Sequence, residues 1–192
     1  LGGTPVLVDE WAIDLALGGS QKCLSAPPGM CFVAISNRAW EVIEQVNYAG
    51  YDALLPFRNA QESFYFPYTP YWHGLAALFA ATKHLVDEGL KNSYLRHMQV
   101  AETCRKGIQD LGLTLFPAPG AVCSPTVTAV NIPNGISWKE LDIRFRQHGL
   151  VVGGSYGPLS GKIFRLGHMG SQADMGLMDQ ALQVIKFVVE KL

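Results

Sequence analysis

The chain has 192 residues, 48% of them apolar and 16% charged, with a formal net charge of −1. That is enough to bury a sizeable core in one domain or two small ones, and it is the composition of a globular protein rather than a disordered one. Acids and bases are interspersed, so no basic stripe is present to neutralise a nucleic-acid backbone, and no apolar run approaches the ~18 residues of a membrane-crossing helix.

Taken in order, short apolar runs predict buried strands at Pro5–Val8, Leu15–Gly19 and Met30–Ser36. Ser36 is the expected N-cap of a helix over Asn37–Val46, with Trp40 and Ile43 on one face. Residues 47–70 are irregular and rich in aromatics, a stretch that either covers the core or serves the active site. From Tyr71 the spacing turns helical. Leu75, Leu78, Phe79, Thr82, Leu85 and Val86 share a face up to a stop at Gly89. Tyr94, Met98, Ala101, Cys104, Ile108 and Leu111 define a second helix that ends at Gly112.

Beyond Gly112 the pattern is α+β. Thr126–Ile132 alternates as a strand, and Ser137-Trp138-Lys139-Glu140 is a capping-box signature for a helix reaching His148. Short strands are expected at Leu150–Gly153 and Lys162–Leu166, flanking a glycine-rich turn. A last helix places Met178, Leu182, Ile185, Val189 and Leu192 on one stripe. The cysteines Cys23, Cys31, Cys104 and Cys123 have neither CxxC spacing nor nearby paired histidines. No metal site or disulfide framework is therefore expected, and reduced thiols in a cytoplasmic protein are the default.

One stretch carries the chemistry. Gly18-Gly19-Ser20-Gln21-Lys22-Cys23-Leu24 runs on into Pro27-Pro28-Gly29, so a single lysine stands among small residues between two apolar runs. A lysine confined and partly desolvated in such a loop has a lowered pKa and is suited to Schiff-base formation with an aldehyde. The bland alternative, a solvated surface charge, is the usual fate of a lysine in a turn.

The stretch resembles the cofactor-lysine segment of the class V, fold-type I aminotransferases, which use pyridoxal phosphate and include the alanine–glyoxylate, serine–pyruvate and pyridoxamine–pyruvate enzymes. The resemblance extends along essentially the whole chain. It implies an α/β fold-type I architecture: residues 1–70 as the tail of the large cofactor domain, 71–112 as bridging helices, and 113–192 as a small α+β C-terminal domain. In that family Leu-Gly-Gly follows a motif whose aspartate pairs with the pyridine nitrogen, so Leu1-Gly2-Gly3 implies the C-terminal half of a longer enzyme.

By the same resemblance Lys22 holds the cofactor as an internal aldimine, and Gln21 donates to its phosphate. Thr69, in Phe66-Pro67-Tyr68-Thr69-Pro70, reaches the phosphate of a neighbouring subunit, which implies a homodimer with shared active sites. Where some relatives have a tyrosine three residues before this threonine, Phe66 stands here. Lys162-Ile163-Phe164-Arg165-Leu166-Gly167-His168-Met169-Gly170 resembles the segment whose arginine grips the substrate α-carboxylate, which assigns that role to Arg165 and leaves His168 structural. Tyr156 is a candidate substrate contact, in a loop where the pyridoxamine–pyruvate relative places an arginine. For Gln21 and Thr69 the alternative is a plain turn residue, and for Arg165 a structural salt bridge.

The implied reaction is amino transfer from a small amino acid, alanine or serine, to a 2-oxo acid, glyoxylate or pyruvate, by ping-pong kinetics. Pyridoxamine–pyruvate transfer is the first alternative. A cysteine desulfurase fits less well, because Gln21 stands where those relatives carry a histidine. A non-catalytic dimerisation subunit of the same fold is the reading from another class.

Overall fold

The structure, a computed structural model, describes residues 1–192. Its strands are β1 (Leu15–Gly19), β2 (Cys31–Ile35), β3 (Val127–Asn131) and β4 (Ile163–Gly167). Its helices are α1 (Asn37–Val46), α2 (Trp72–Glu88), α3 (Leu90–Asp110), α4 (Trp138–Gln147) and α5 (Met175–Val189). The chain divides into two compact units, a hairpin unit of Val6–His84 and a core unit of Leu1–Pro5 with Leu85–Leu192. The division falls inside α2, and α3 packs wholly within the core unit against α5 and β3.

In the hairpin unit β1 and β2 pair antiparallel, from Leu15 opposite Ile35 to Gly19 opposite Cys31. Asp14 closes the base of this hairpin. Its carboxylate takes hydrogen bonds from the Ser36 hydroxyl at 2.7 Å and from Arg38 Nε and Nη2 at 3.0 and 2.6 Å. Those bonds, Arg38's above all, hold the Asp14 carboxyl below its ordinary pKa. Ser36 caps α1 as expected, its Oγ accepting from the Ala39 N–H at 3.1 Å, and Asn47 ends the helix in a left-handed conformation.

Two strand expectations are corrected here. Pro5–Val8 is not a strand: residues 8–12 turn back on themselves, the Trp11 N–H bonding the Leu7 carbonyl and the Ile13 N–H the Val8 carbonyl, each at 2.9 Å. Local bonds satisfy a backbone that has no neighbouring strand to pair with. Nor are β1 and β2 buried. Leu17 is 76% exposed, and Leu15 and Val33 are also exposed, since within these 192 residues β1 and β2 pair only with each other.

The aromatic stretch builds its own small cluster. Tyr51, Phe57, Phe66 and Tyr68 meet tilted or edge-to-face, with centroids 4.7 Å apart for Tyr51–Tyr68 and 5.5 Å for Phe57–Phe66. Arg58 ties it to α1, pairing with Glu44 and lying over the Trp40 ring.

The core unit is built on the antiparallel pair β3–β4, with Ala129 opposite Arg165 and Thr128 opposite Leu166. Three helices surround it and supply a single apolar cluster. Val100, Cys104 and Ile108 come from α3, Leu141 and Phe145 from α4, and Met178, Ile185 and Val188 from α5, against Val130, Phe164 and Leu166 of the strands. Trp138 stacks on Phe164, and Phe145 tilts against it. Ser137 caps α4 by accepting from the Glu140 N–H at 3.2 Å.

The buried faces of the two long helices match the predicted ones only in part: in α3, Ala101, Cys104 and Ile108 are buried as expected. In α3 the buried residues are Ser93, His97, Val100, Ala101, Cys104 and Ile108, and Met98 is exposed. In α2, Leu75, Phe79 and Val86 are exposed, and of the expected stripe only Leu85 is buried. The α3 face turned inward carries polar Ser93 and His97, whose hydrogen bonds compensate their burial, so an apolar count alone gives only part of it. Residues 150–153 form a single bridge, Gly153 to Arg165, instead of a strand.

Candidate active site

In the hairpin unit the lysine turn is anchored from within. Ser20 is fully buried; its Oγ donates to the Pro27 carbonyl at 2.7 Å, and its N–H bonds the Met30 carbonyl at 3.0 Å. The Ala26 N–H returns to the Ser20 carbonyl at 3.0 Å, and Leu24 and Ala26 are buried with it. With these side chains turned inward, Gln21 and Lys22 project from the tip and both are exposed. The expected confinement of Lys22 is therefore not found within this unit.

Gln21 folds back along the chain. Its Oε1 lies against Gly19, 2.8 Å from where a Cβ on that glycine would stand. Thr69 is exposed as well. The return arm of the lysine turn packs on the segment just after Thr69: a Cβ on Gly29 would lie 3.7 Å from the Tyr71 ring, and one on Gly74 2.9 Å from Met30 Cγ. Tyr68, next to Thr69, donates its hydroxyl proton to the Tyr51 carbonyl.

In the core unit Arg165 sits mid-strand in β4 and is half-buried. Its backbone bridges to Gly153, N–H to carbonyl at 2.7 Å one way and 3.1 Å the other. Its Nε donates to the Gly154 carbonyl at 2.9 Å. Gly154 has no room for a side chain, since a Cβ there would fall 2.4 Å from Trp138 Nε1. Tyr156, 79% exposed, places its ring 5.8 Å from the Arg165 guanidinium carbon. Arg165 takes part in none of the chain's salt bridges, so Nη1 and Nη2 are left as a parallel pair of donors. The salt-bridge alternative for Arg165 is not what the structure shows.

His168 is fully buried, its Nε2 2.8 Å from the Thr128 hydroxyl, and burial holds its pKa below the ordinary histidine value. It has no exposed face from which to act as a base. Sequence reading missed a second buried histidine, His97, which bonds the Ser93 carbonyl and the Gly170 N–H. The available signal was two polar residues, Ser93 and His97, one helical turn apart beside the apolar stripe of α3.

The aminotransferase class-V family profile matches residues 1–163. The chain belongs to the class-V aminotransferase family. It is 37% identical over its full length to an uncharacterised aminotransferase of Methanocaldococcus jannaschii, of which it covers 52%. It is 30% identical over 97% of its length to alanine–glyoxylate aminotransferase of Oryctolagus cuniculus, of which it covers 50%. The crystal structure of pyridoxamine–pyruvate aminotransferase from Mesorhizobium loti superposes with a TM-score of 0.93 at 30% identity, covering 99% of this chain and 50% of that one. The chain thus has the fold of class-V aminotransferases and spans about half the length of the curated relatives it matches.

Proposed function

We propose that the protein is a pyridoxal-phosphate-dependent aminotransferase that moves an amino group from a small amino acid, alanine or serine, to glyoxylate or pyruvate. The observation that carries this reading is Arg165. Its Nε is engaged by the Gly154 carbonyl while Nη1 and Nη2 have no acidic partner, the state of a guanidinium set to take a carboxylate end-on. The similarity to an alanine–glyoxylate aminotransferase supports the choice of substrates.

The residues of the hairpin unit suit the cofactor. Lys22 presents a primary amine free of ion pairs at a turn without acidic neighbours, and Gln21 and Thr69 add neutral donors fit for a phosphate dianion. When bound, pyridoxal phosphate supplies the electron sink that makes a Cα proton of the substrate removable. In this reading Lys22 Nζ holds the cofactor at rest and afterwards takes up the Cα proton. The Gln21 carboxamide and, from a second copy of the chain, the Thr69 hydroxyl bind the phosphate. Arg165 orients the substrate by its α-carboxylate, and the Tyr156 ring forms a wall beside it. The division into a cofactor domain and a small C-terminal domain, and a homodimer in the cytoplasm, belong to the same proposal.

The test is borohydride reduction of the full-length protein with cofactor, followed by peptide mapping. The expected result is a cofactor adduct on the Lys22 peptide, absent in Lys22→Ala together with turnover; an adduct elsewhere, or normal turnover in the variant, refutes the assignment. A second reading, amino transfer from pyridoxamine to pyruvate, is favoured by the likeness to the Mesorhizobium structure. Donor screening with alanine, serine and pyridoxamine separates the two.

A further inference from the structure

His97 is fully buried in α3, and the reaction proposed above does not use it. Both of its ring nitrogens are engaged. Nδ1 lies 2.7 Å from the Ser93 carbonyl oxygen, and Nε2 lies 2.9 Å from the backbone nitrogen of Gly170. A carbonyl only accepts and an amide N–H only donates, so the ring is neutral with its proton on Nδ1. Ser93 extends the chain of bonds, its Oγ donating to the Gly2 carbonyl at 2.6 Å.

The neighbouring residue grips the same turn from its other side. Arg96 Nη1 donates to the Gly170 carbonyl at 2.7 Å and to the Ala173 carbonyl at 2.8 Å, while Glu88 holds Arg96 through Nε and Nη2 at 2.6 and 2.9 Å. Both backbone groups of Gly170 are thus clamped by consecutive residues of one helix. Gly170 follows β4 by three residues. Between them His168 is tied to β3 and its approach, its N–H bonding the Thr126 carbonyl at 3.0 Å and its ring the Thr128 hydroxyl. Arg165 has one side-chain hydrogen bond, to Gly154, and no ion pair, so the aim of its guanidinium depends on where the β4 backbone is held.

We propose that His97 is a positioning residue. As a neutral imidazole it pins the exit of β4 and thereby the direction in which Arg165 offers its guanidinium to a carboxylate; protonation of the ring releases that exit and weakens carboxylate capture. The proposal rests on the reading of Arg165 as the carboxylate anchor. Burial, more than the neighbouring groups, opposes protonation of the ring. Burial is the largest influence and opposes protonation, the hydrogen bond to the Ser93 carbonyl favours it, and Arg96 on the same helix opposes it. Glu88, at the end of α2, favours protonation, and charge on His97 disfavours charge on the buried His168 at the β4 exit. Release accordingly belongs to acid pH.

The first test uses nitrogen-15 NMR of the full-length holoenzyme. The expected result is a His97 ring protonated on Nδ1, and a Gly170 amide shift that moves together with the ring's titration. A ring protonated on Nε2, or a Gly170 amide indifferent to that titration, overturns the clamp, and neither outcome depends on turnover. The second test compares His97→Gln with His97→Asn. The glutamine keeps an acceptor within reach of the Gly170 N–H and the shorter asparagine does not. Asn is expected to raise KM for alanine about fivefold to tenfold with kcat nearly unchanged, while Gln stays within about twofold, the scale of one lost hydrogen bond. Equal effects of the two variants, or a change confined to kcat, remove the positioning role. A protein that transfers no amino group to any 2-oxo acid refutes the enzyme reading and the link to Arg165, whereas a wrong tautomer refutes the clamp alone.

Discussion

The two antiparallel strand pairs of this chain have similar apolar sequences and opposite surroundings. β4 reads Ile-Phe-Arg-Leu-Gly, and its three apolar side chains are all buried; β1 reads Leu-Ala-Leu-Gly-Gly, and its leucines are exposed. The difference lies in what surrounds each pair. Helices α3, α4 and α5 close over β3–β4 and exclude water, whereas β1–β2 is bordered by turns and α1. Stability is therefore concentrated in the core unit. The lysine assigned to the chemistry stands at an exposed turn tip of the hairpin unit, where a substitution affects chemistry and not packing.

The sharpest way to break that contrast is Lys22→Ala. Turnover is expected to vanish while the unfolding free energy of the cofactor-free protein stays within about 0.5 kcal/mol of the cofactor-free parent, as for other exposed positions; a large loss of stability on denaturant titration without cofactor would deny the contrast. Phe164→Ala should do the reverse, costing about 3–5 kcal/mol in the same titration because it empties the centre of the core cluster. Arg165→Lys keeps the charge but loses the paired donors. It is expected to raise KM for the amino acid by about one to two powers of ten with a smaller change in kcat, seen in steady-state kinetics.

Stability against pH sharpens the comparison further, because the groups with depressed or raised pKa in the core are His97, His168 and Cys104. Burial keeps both imidazoles neutral below the reference value of 6.5, so the unfolded chain binds more protons there, and stability falls as pH drops through 6.5 toward the folded values. Burial raises the Cys104 thiol above 9.0, so stability also falls as pH climbs beyond that point. Thermal melts across pH should show both flanks, and Cys104→Ala should flatten the alkaline one. The smallest effect belongs to the other strand pair: Leu17→Ala is expected to change stability by no more than about 0.5 kcal/mol. A cost near that of Phe164→Ala would mean that β1 is covered after all.

Much of this molecule was legible before its fold was. The starts of α1 and α4 follow from Ser36 and Ser137, because a cap is a bond between a side chain and an amide three residues away and needs nothing from the rest of the chain. The family also followed from the lysine and arginine segments, and the profile match bears it out. The strand expected at Pro5–Val8 failed because strand formation requires a partner, which no run of apolar residues specifies on its own. The buried face of α3 was read only in part: Ala101, Cys104 and Ile108 are buried as expected, but Ser93 and His97 look like surface residues until their acceptors and donors, at Gly2 and Gly170, are brought to them from across the chain.

By itself, then, the sequence determined the local and the chemical: which segments coil, where they stop, and which amine and guanidinium the chain carries. Only the tertiary structure decided which of those groups meet water. Lys22 is exposed because Ser20, Leu24 and Ala26 take the inside of its turn, and Arg165 keeps two free donors because a loop carbonyl, and no carboxylate, came to rest beside its Nε. Burial and pairing are set by neighbours distant in sequence, and no reading of spacing supplies those neighbours.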